Sequence, residues 1–327
     1  MRKRILAIMA ALLLLPVLLF PAAAQDLIPV GQTVGLALRL DGVYVVRFDA
    51  DAAPAREAGL KVGDRIVSVD GAELDSAETL RSRIAAGHGA DLILRVRRGE
   101  KDMSFTVRPV STETGWRLGV YVQDRIEGLG TVTFYDPQTG AFGALGHGVS
   151  GGGERTLEIL GGTATRTEVV SVRRGEAGCP GELRGAVDTG EALGRVEENS
   201  DCGVFGHAEA VWDGVAVPAA EPGEVTTGPA ELLCNVSGSE IRRCAVEIEA
   251  LSFAGEEGRD LRLRVTDPEL LAATGGIVQG MSGSPILQNG RLVGAVTHVF
   301  ISDATRGYAV SIQDMLRAAG IAMDKAA

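Results

Sequence analysis

Few residues in this chain have the chemistry to act on a substrate, and one short stretch gathers the best of them. The segment GMSGSP carries Ser282 between small residues, with Gly280 two positions before it and Gly283 after it. A serine hydroxyl is a poor nucleophile until a base takes its proton. Small neighbours let a carbonyl approach the backbone, where the N–H groups of Gly280 and Ser282 are the expected donors to a developing oxyanion. The base should be one of four histidines. His147 lies in GAFGALGHGVSGGG, wrapped in glycines, and is favoured because a catalytic imidazole must be reachable and able to turn. His298 follows Ser282 by sixteen residues in the strand-like GAVTHVF and is expected beside the cleft. His207 in GVFGHAEA reads as structural, and His88 lies in a loop far upstream. A carboxylate should orient the base. Asp267 in RVTDPELLAATGG is the candidate, although an Asp before a Pro is equally a helix N-cap with Pro268 at N1. Asp136 in TFYDPQTG reads as a turn residue by the same logic.

Such a site needs a scaffold. The chain has 327 residues, room for about two domains. It is rich in glycine, with 44, and only 4% aromatic, which favours many turns and short strands. A net charge of −11 with no long basic run argues against a nucleic-acid partner. Residues 1–24 read as a signal peptide or membrane anchor: MRKR, an apolar run from Ile5 to Phe20, then AAAQ. The body is therefore expected to be exported and to work outside the cytoplasm.

In that setting Cys179, Cys202, Cys234 and Cys244 are disulfide candidates. ELLCNVSGSEIRRCAVEIE looks like two strands around an SGSE turn, favouring Cys234 with Cys244 and leaving Cys179 with Cys202; free buried thiols are the alternative. No C-x-x-C spacing supports zinc, and serine–histidine chemistry requires no metal or cofactor.

The elements fall into two groups. From Val30 to about Val110 the pattern is strand, strand, turn, helix and hairpin. The helix opens at DSAETLRSRIAAG, with Asp75 and Glu78 at capping-box spacing, Gly87 as its stop, and Leu80 and Ile84 on one face. LILRVRRGEKDMSFTVRPV alternates as a hairpin. Beyond Thr112 short apolar runs recur between glycines (GLGTVTFYD, RTEVVSV, CAVEIEAL, LVGAVTHVF), which argues for a barrel or sandwich.

At AGLKVGDRIVSVDG the first group resembles a PDZ domain of the bacterial secreted-protease type. The resemblance implies a groove between the strand at Gly35, Leu36, Ala37 and Leu38 and the helix around Leu80, where an extended peptide or C-terminus adds as a further strand. GMSGSPILQNGRLVGAVTHVF resembles the nucleophile segment of chymotrypsin-like serine proteases. More closely, DPQTGAFGALGHGVS, CPGELRG, GVFGH, TGGIVQGMSGSPI and GAVTHVFISDATRGYAVSI resemble the stage IV sporulation protein B family of serine peptidases. Together with the PDZ-like segment, the resemblance covers nearly the whole chain after the leader.

This resemblance implies a mainly β protein: a PDZ domain over 28–110, then a chymotrypsin-like double β-barrel peptidase domain over 111–327. It matches His147 to the general base, Ser282 to the nucleophile and Asp267 to the third member. Ser284 is then a neighbour of the nucleophile. The implied activity is a self-cleaving serine endopeptidase. It would cleave a membrane-associated regulatory protein in the forespore intermembrane space and so trigger sigma-factor processing during endospore formation. The cysteines depart from the family pattern, which bears on substrate and host rather than on the site. The competing expectation is a catalytically dead scaffold that binds a membrane partner through its PDZ domain.

Overall fold

The computed structural model describes residues 25–50, 52–151, 156–252 and 259–321. The leader expected at 1–24 lies outside the described residues, and none of the described helices is long and apolar enough to cross a membrane.

Two long strands organise the first half. The chain enters through β1 (Asp26–Pro29) and β2 (Thr33–Phe48), and then α1 (Pro54–Glu57). It continues through β3 (Arg65–Val69), β4 (Ala72–Glu73), α2 (Ala77–Ala86), β5 (Leu92–Arg98), β6 (Lys101–Val107), β7 (Val110–Thr112), β8 (Gly115–Arg117) and β9 (Val120–Tyr135). β2 and β9 pair antiparallel from Thr33 opposite Thr131 to Phe48 opposite Val120, with the register slipping between Arg39 and Tyr44. On one side of the slip Val34, Leu36, Leu38 and Leu40 are buried while Ala37 and Arg39 are exposed, the period of two that one covered strand face imposes. On the other side Val43 and Tyr44 pair with β3, which continues the sheet through β5 to β6. There Val43, Ile66, Leu94 and Val96 pack with Leu80 and Ile84 of α2. Ser76, rather than Asp75, caps α2, its hydroxyl accepting from Thr79 N at 3.1 Å.

The next strands are β10 (Ala141–Ala144), β11 (Ile159–Arg173), β12 (Glu182–Ser200), β13 (Gly203–Ala208) and β14 (Val217–Pro218). The order β9–β10–β13–β12–β11–β2, closed by β2 on β9, makes a first barrel. The PDZ-like unit is thus inserted between β2 and β9 of that barrel. The PDZ domain expected over 28–110 is corrected at its start, since residues 33–39 already pair within the barrel.

The second barrel uses β15 (Gly228–Ser237), β16 (Glu240–Leu251), β17 (Leu261–Val265), β18 (Pro285–Gln288), β19 (Arg291–Phe300) and β20 (Asp303–Ser311). Its strand order is β15–β16–β17–β20–β19–β18, closed by β15 on β18. Its core holds Leu232, Val246, Ile248, Leu263, Ile286 and Val296. α3 (Pro268–Thr274) lies between β17 and β18, and α4 (Ile312–Ala318) ends the described fold. A shared apolar cluster joins Phe134 and Phe205 of the first barrel to Leu287, Leu292, Met315 and Leu316. Each such buried side chain contributes about 1.5–3 kcal/mol, so the barrels hold one another firmly.

The cysteines divide. Cys234 and Cys244 are buried on the hairpin β15–β16 with their sulfurs 3.7 Å apart, hydrogen-bonded as thiols. Cys179 and Cys202 stand beyond opposite ends of β12, a strand of 19 residues.

Candidate active site

The two barrels present a common cavity of about 540 Å³. His147 comes to it from the first barrel, on the turn after β10; Ser282, Thr297 and His298 come from the second. Local sequence explains both approaches. Leu145 and Gly146 both adopt positive φ, 69° and 70°, which swings His147 away from the strand line. At the nucleophile turn Gly283 has φ 96°, and a Cβ there would run into the carbonyl of Thr131. That close approach is what the glycine permits.

The first barrel also pins the turn. Thr131 N donates to the Ser282 carbonyl at 2.9 Å. Thr131 Oγ1 donates to Gly280 O at 2.8 Å, and Thr133 Oγ1 to Gly283 O at 2.7 Å. All of this uses carbonyls. Among the described residues, the N–H groups of Gly280 and Ser282 have no hydrogen-bond acceptor, and both residues line the cavity. Open donors beside a serine are what an oxyanion requires. Ser284 is fully buried and does not line the cavity.

The Ser282 hydroxyl donates to the Thr297 carbonyl at 2.8 Å, and no hydrogen bond joins it to His147. His147 Nδ1 lies 2.9 Å from the Gly148 carbonyl. A carbonyl only accepts, so Nδ1 carries the proton and the Nε2 lone pair is free for a proton from outside. Burial pushes this imidazole below its usual range, which keeps it neutral and basic-ready at neutral pH. The ring of His298 lies against it, centroids 4.8 Å apart and planes tilted by 36°. His298 is an exposed residue on the cavity wall; partial desolvation there first, then His147 and Arg259, push it down to about 4.

Asp267 is elsewhere. Its carboxylate accepts from Leu270 N at 2.8 Å and from Ala245 N at 3.3 Å, capping α3. These hydrogen bonds hold it below the usual carboxylate range. It does not line the cavity, and His147 is not among the groups acting on it. The structure brings together His147 and Ser282 of the expected triad; the Gly148 carbonyl, not Asp267, meets Nδ1. A main-chain acceptor has no side-chain signature, which is why spacing does not reveal it.

The expected PDZ strand is also corrected. Gly35, Leu36, Ala37 and Leu38 are paired on both edges, with β11 and with β9, so no peptide can add there. Leu36 and Leu38 instead wall the cavity beside His147. A separate groove of about 330 Å³ lies between α2, through Leu80, Arg81 and Ile84, and the segment Leu118–Val122. There β9 pairs with β2 along one edge only among the described residues. The signal for it is RLGVYV, where Gly119, at φ 65°, opens an apolar strand.

A histidine, a serine and two open amides on the seam of two β-barrels can perform nucleophilic acyl transfer, and the family comparison fits them. The model of the SpoIVB peptidase S55 family matches residues 114–316. The chain belongs to that family. A PDZ domain model matches residues 50–98. The peptidase is 39% identical over 72 residues to serine protease HTRA1 of Xenopus tropicalis, covering 22% of this chain and 15% of that one. The chain spans between 15% and 26% of the length of the curated relatives it matches. Among solved structures, the PDZ domain of the SdrC-like protein from Listeria monocytogenes matches at 25% identity and TM-score 0.23, covering 26% of this chain and 90% of that one. The active form of the Rv3671c protease from M. tuberculosis matches at 20% identity and TM-score 0.34, covering 61% and 75%. The chain thus joins a SpoIVB peptidase S55 family region to a PDZ domain, mainly β in build.

Proposed function

We propose that this peptidase is an exported, self-cleaving serine endopeptidase whose target is a membrane-associated regulatory protein, and that the cleavage triggers sigma-factor processing during endospore formation. The observation that carries the peptidase chemistry is the meeting of His147, Ser282 and two unpaired amides in one cavity. The sporulation role rests on the family and on the leader-like residues 1–24.

In this reading Ser282 Oγ leaves the Thr297 carbonyl and attacks a peptide carbonyl. His147 Nε2 takes the hydroxyl proton, and Gly148 keeps the imidazole in that tautomer. The amides of Gly280 and Ser282 receive the oxyanion. His147 then gives its proton to the leaving amine, and water releases the acyl group by the reverse course. A partner peptide adds to the open edge of β9 at Val120–Val122, its side chains meeting Leu80 and Ile84.

The test is incubation of the purified chain, wild type beside Ser282→Ala, with intact mass followed over time. Fragments from wild type alone support the self-cleaving enzyme. Equal fragmentation of both sinks the assignment of Ser282. A stable wild type that also ignores an active-site probe favours the scaffold reading.

A further inference from the structure

We infer that His298 is a positioning residue of the peptidase: its ring backs the imidazole of His147 and does the orienting that a carboxylate would otherwise do. The inference rests on the reading that His147 and Ser282 carry the chemistry.

Three observations point to it. His147 stands on a glycine-flanked turn, and its side-chain hydrogen bond runs to the carbonyl of the very next residue. A bond that local fixes the tautomer but does little to fix the imidazole against Ser282, which sits on the other barrel. The contact that reaches across is the ring of His298, at 4.8 Å. Next, His298 adjoins Thr297, whose carbonyl holds the Ser282 hydroxyl at 2.8 Å. One strand, β19, therefore sets the hydroxyl and the base relative to each other. Last, no carboxylate among the described residues acts on either ring. The charged or titratable groups that bear on the pair are the two imidazoles themselves and Arg259, ahead of β17.

The electrostatics suit the task. The base becomes an imidazolium when it takes the serine proton. A neutral ring face beside it attracts that charge, as aromatic faces attract cations. His298, held down at about 4, is neutral at neutral pH. A charged neighbour would oppose the same step.

The experiment follows the rate at which a fluorophosphonate probe labels the full chain between pH 4 and 8. Wild type, His298→Ala, His298→Phe and Ser282→Ala are compared, each checked for an unchanged unfolding midpoint at pH 7. His298→Ala is expected to slow labelling at pH 7 at least tenfold. Its acid limb should move towards the usual histidine range, because the base loses its cover. His298→Phe keeps a flat ring and should recover most of the rate, with the acid limb restored. A His298→Ala protein with the rate and pH limb of wild type overturns the inference. So does a His298→Phe protein as slow as the alanine variant, which would mean that the imidazole nitrogens matter and not the ring face. Labelling of Ser282→Ala at the wild-type rate would sink the underlying site assignment, a separate and recognisable failure.

Discussion

The hydroxyl of Ser282 donates to the carbonyl of Thr297 at 2.8 Å and not to the imidazole of His147. The nucleophile is therefore held in a resting rotamer by the strand that also carries His298. Catalytic hydrogen bonds commonly tighten only when substrate binds. Here a rotation about the serine side chain takes the hydroxyl from its resting acceptor towards His147. Removing the base should leave the hydroxyl in place but without an acceptor for its proton. His147→Gln is expected to lower fluorophosphonate labelling by about 10²–10⁴-fold, the usual contribution of a general base, with no change in circular dichroism. Undiminished labelling would mean that another group takes the proton.

Asp267 poses the sharpest conflict between resemblance and geometry. The resemblance leads one to expect a third catalytic member here, whereas the carboxylate caps α3 through Leu270 N at 2.8 Å. Asn caps a helix about as well as Asp. Asp267→Asn should therefore keep both the unfolding midpoint and the labelling rate, the latter within about twofold of wild type on the capping account. A tenfold loss of rate with an intact fold would show that Asp267 reaches the imidazole in a working conformation. Asp267→Ala should cost about 1 kcal/mol of stability as a lost cap.

The nucleophile turn depends on a residue with no side chain. Gly283 has φ 96°, and a Cβ there would collide with the Thr131 carbonyl, the neighbour that pins the turn from the first barrel. Gly283→Ala must displace main chain, not a flexible side-chain tip. We expect loss of labelling together with a lowered unfolding midpoint. A variant with a normal midpoint and normal labelling would show that the turn adapts and that the pinning is not required.

Much of this site is legible in the amino-acid sequence. Ser282 and His147 stand out because glycines crowd them, and crowding by glycine is a local pattern. The strand-rich composition and the apolar alternation of β5 and β6 point to the class of fold. Asp267 reads as a cap as well as a catalytic candidate, and it is the cap that the geometry displays. What escapes has physical reasons. GLALRL reads as a strand, but which strands flank it depends on residues about ninety and one hundred and thirty positions away, at Ile126–Leu129 and Thr163–Thr165. The insertion of the PDZ unit between β2 and β9 is a matter of long-range pairing that local pattern does not encode. The Gly148 carbonyl is identical in type to every other carbonyl in the chain.

The two histidines make the protein sensitive to acid in a definite direction. Both imidazoles have folded-state values below the usual 6.5, His298 at about 4. Above 6.5 they are neutral in both states and have no linkage to folding. As pH falls from 6.5 the unfolded chain binds protons that the folded chain refuses, so stability declines, for His298 until about 4. Wild type should lose unfolding midpoint between pH 6.5 and 4 more steeply than His298→Phe, which removes one of the two sites. Parallel curves for the two proteins would place the titration elsewhere. Activity should fall in acid for a separate reason, protonation of His147, and its half-point should lie below 6.5.

The cavity itself predicts what is cut. Apart from its polar reacting edge it is walled by Leu36, Leu38, Leu129, Val278, Val299 and Ile301. A charged side chain entering it would shed water without finding a partner, at a cost of several kcal/mol. A bulky aliphatic side chain would gain about 1.5–3 kcal/mol by the same transfer. Substrates should therefore present a large apolar residue beside the scissile bond. A peptide library digested by the full chain, with Ser282→Ala as the blank, reads this directly by the ends of its fragments. Cuts next to Leu, Ile, Met or Phe are expected to dominate, and Val299→Asp should erase that preference while leaving probe labelling in place. Fragments ending evenly at charged and apolar residues would mean that the cavity does not receive the side chain next to the scissile bond.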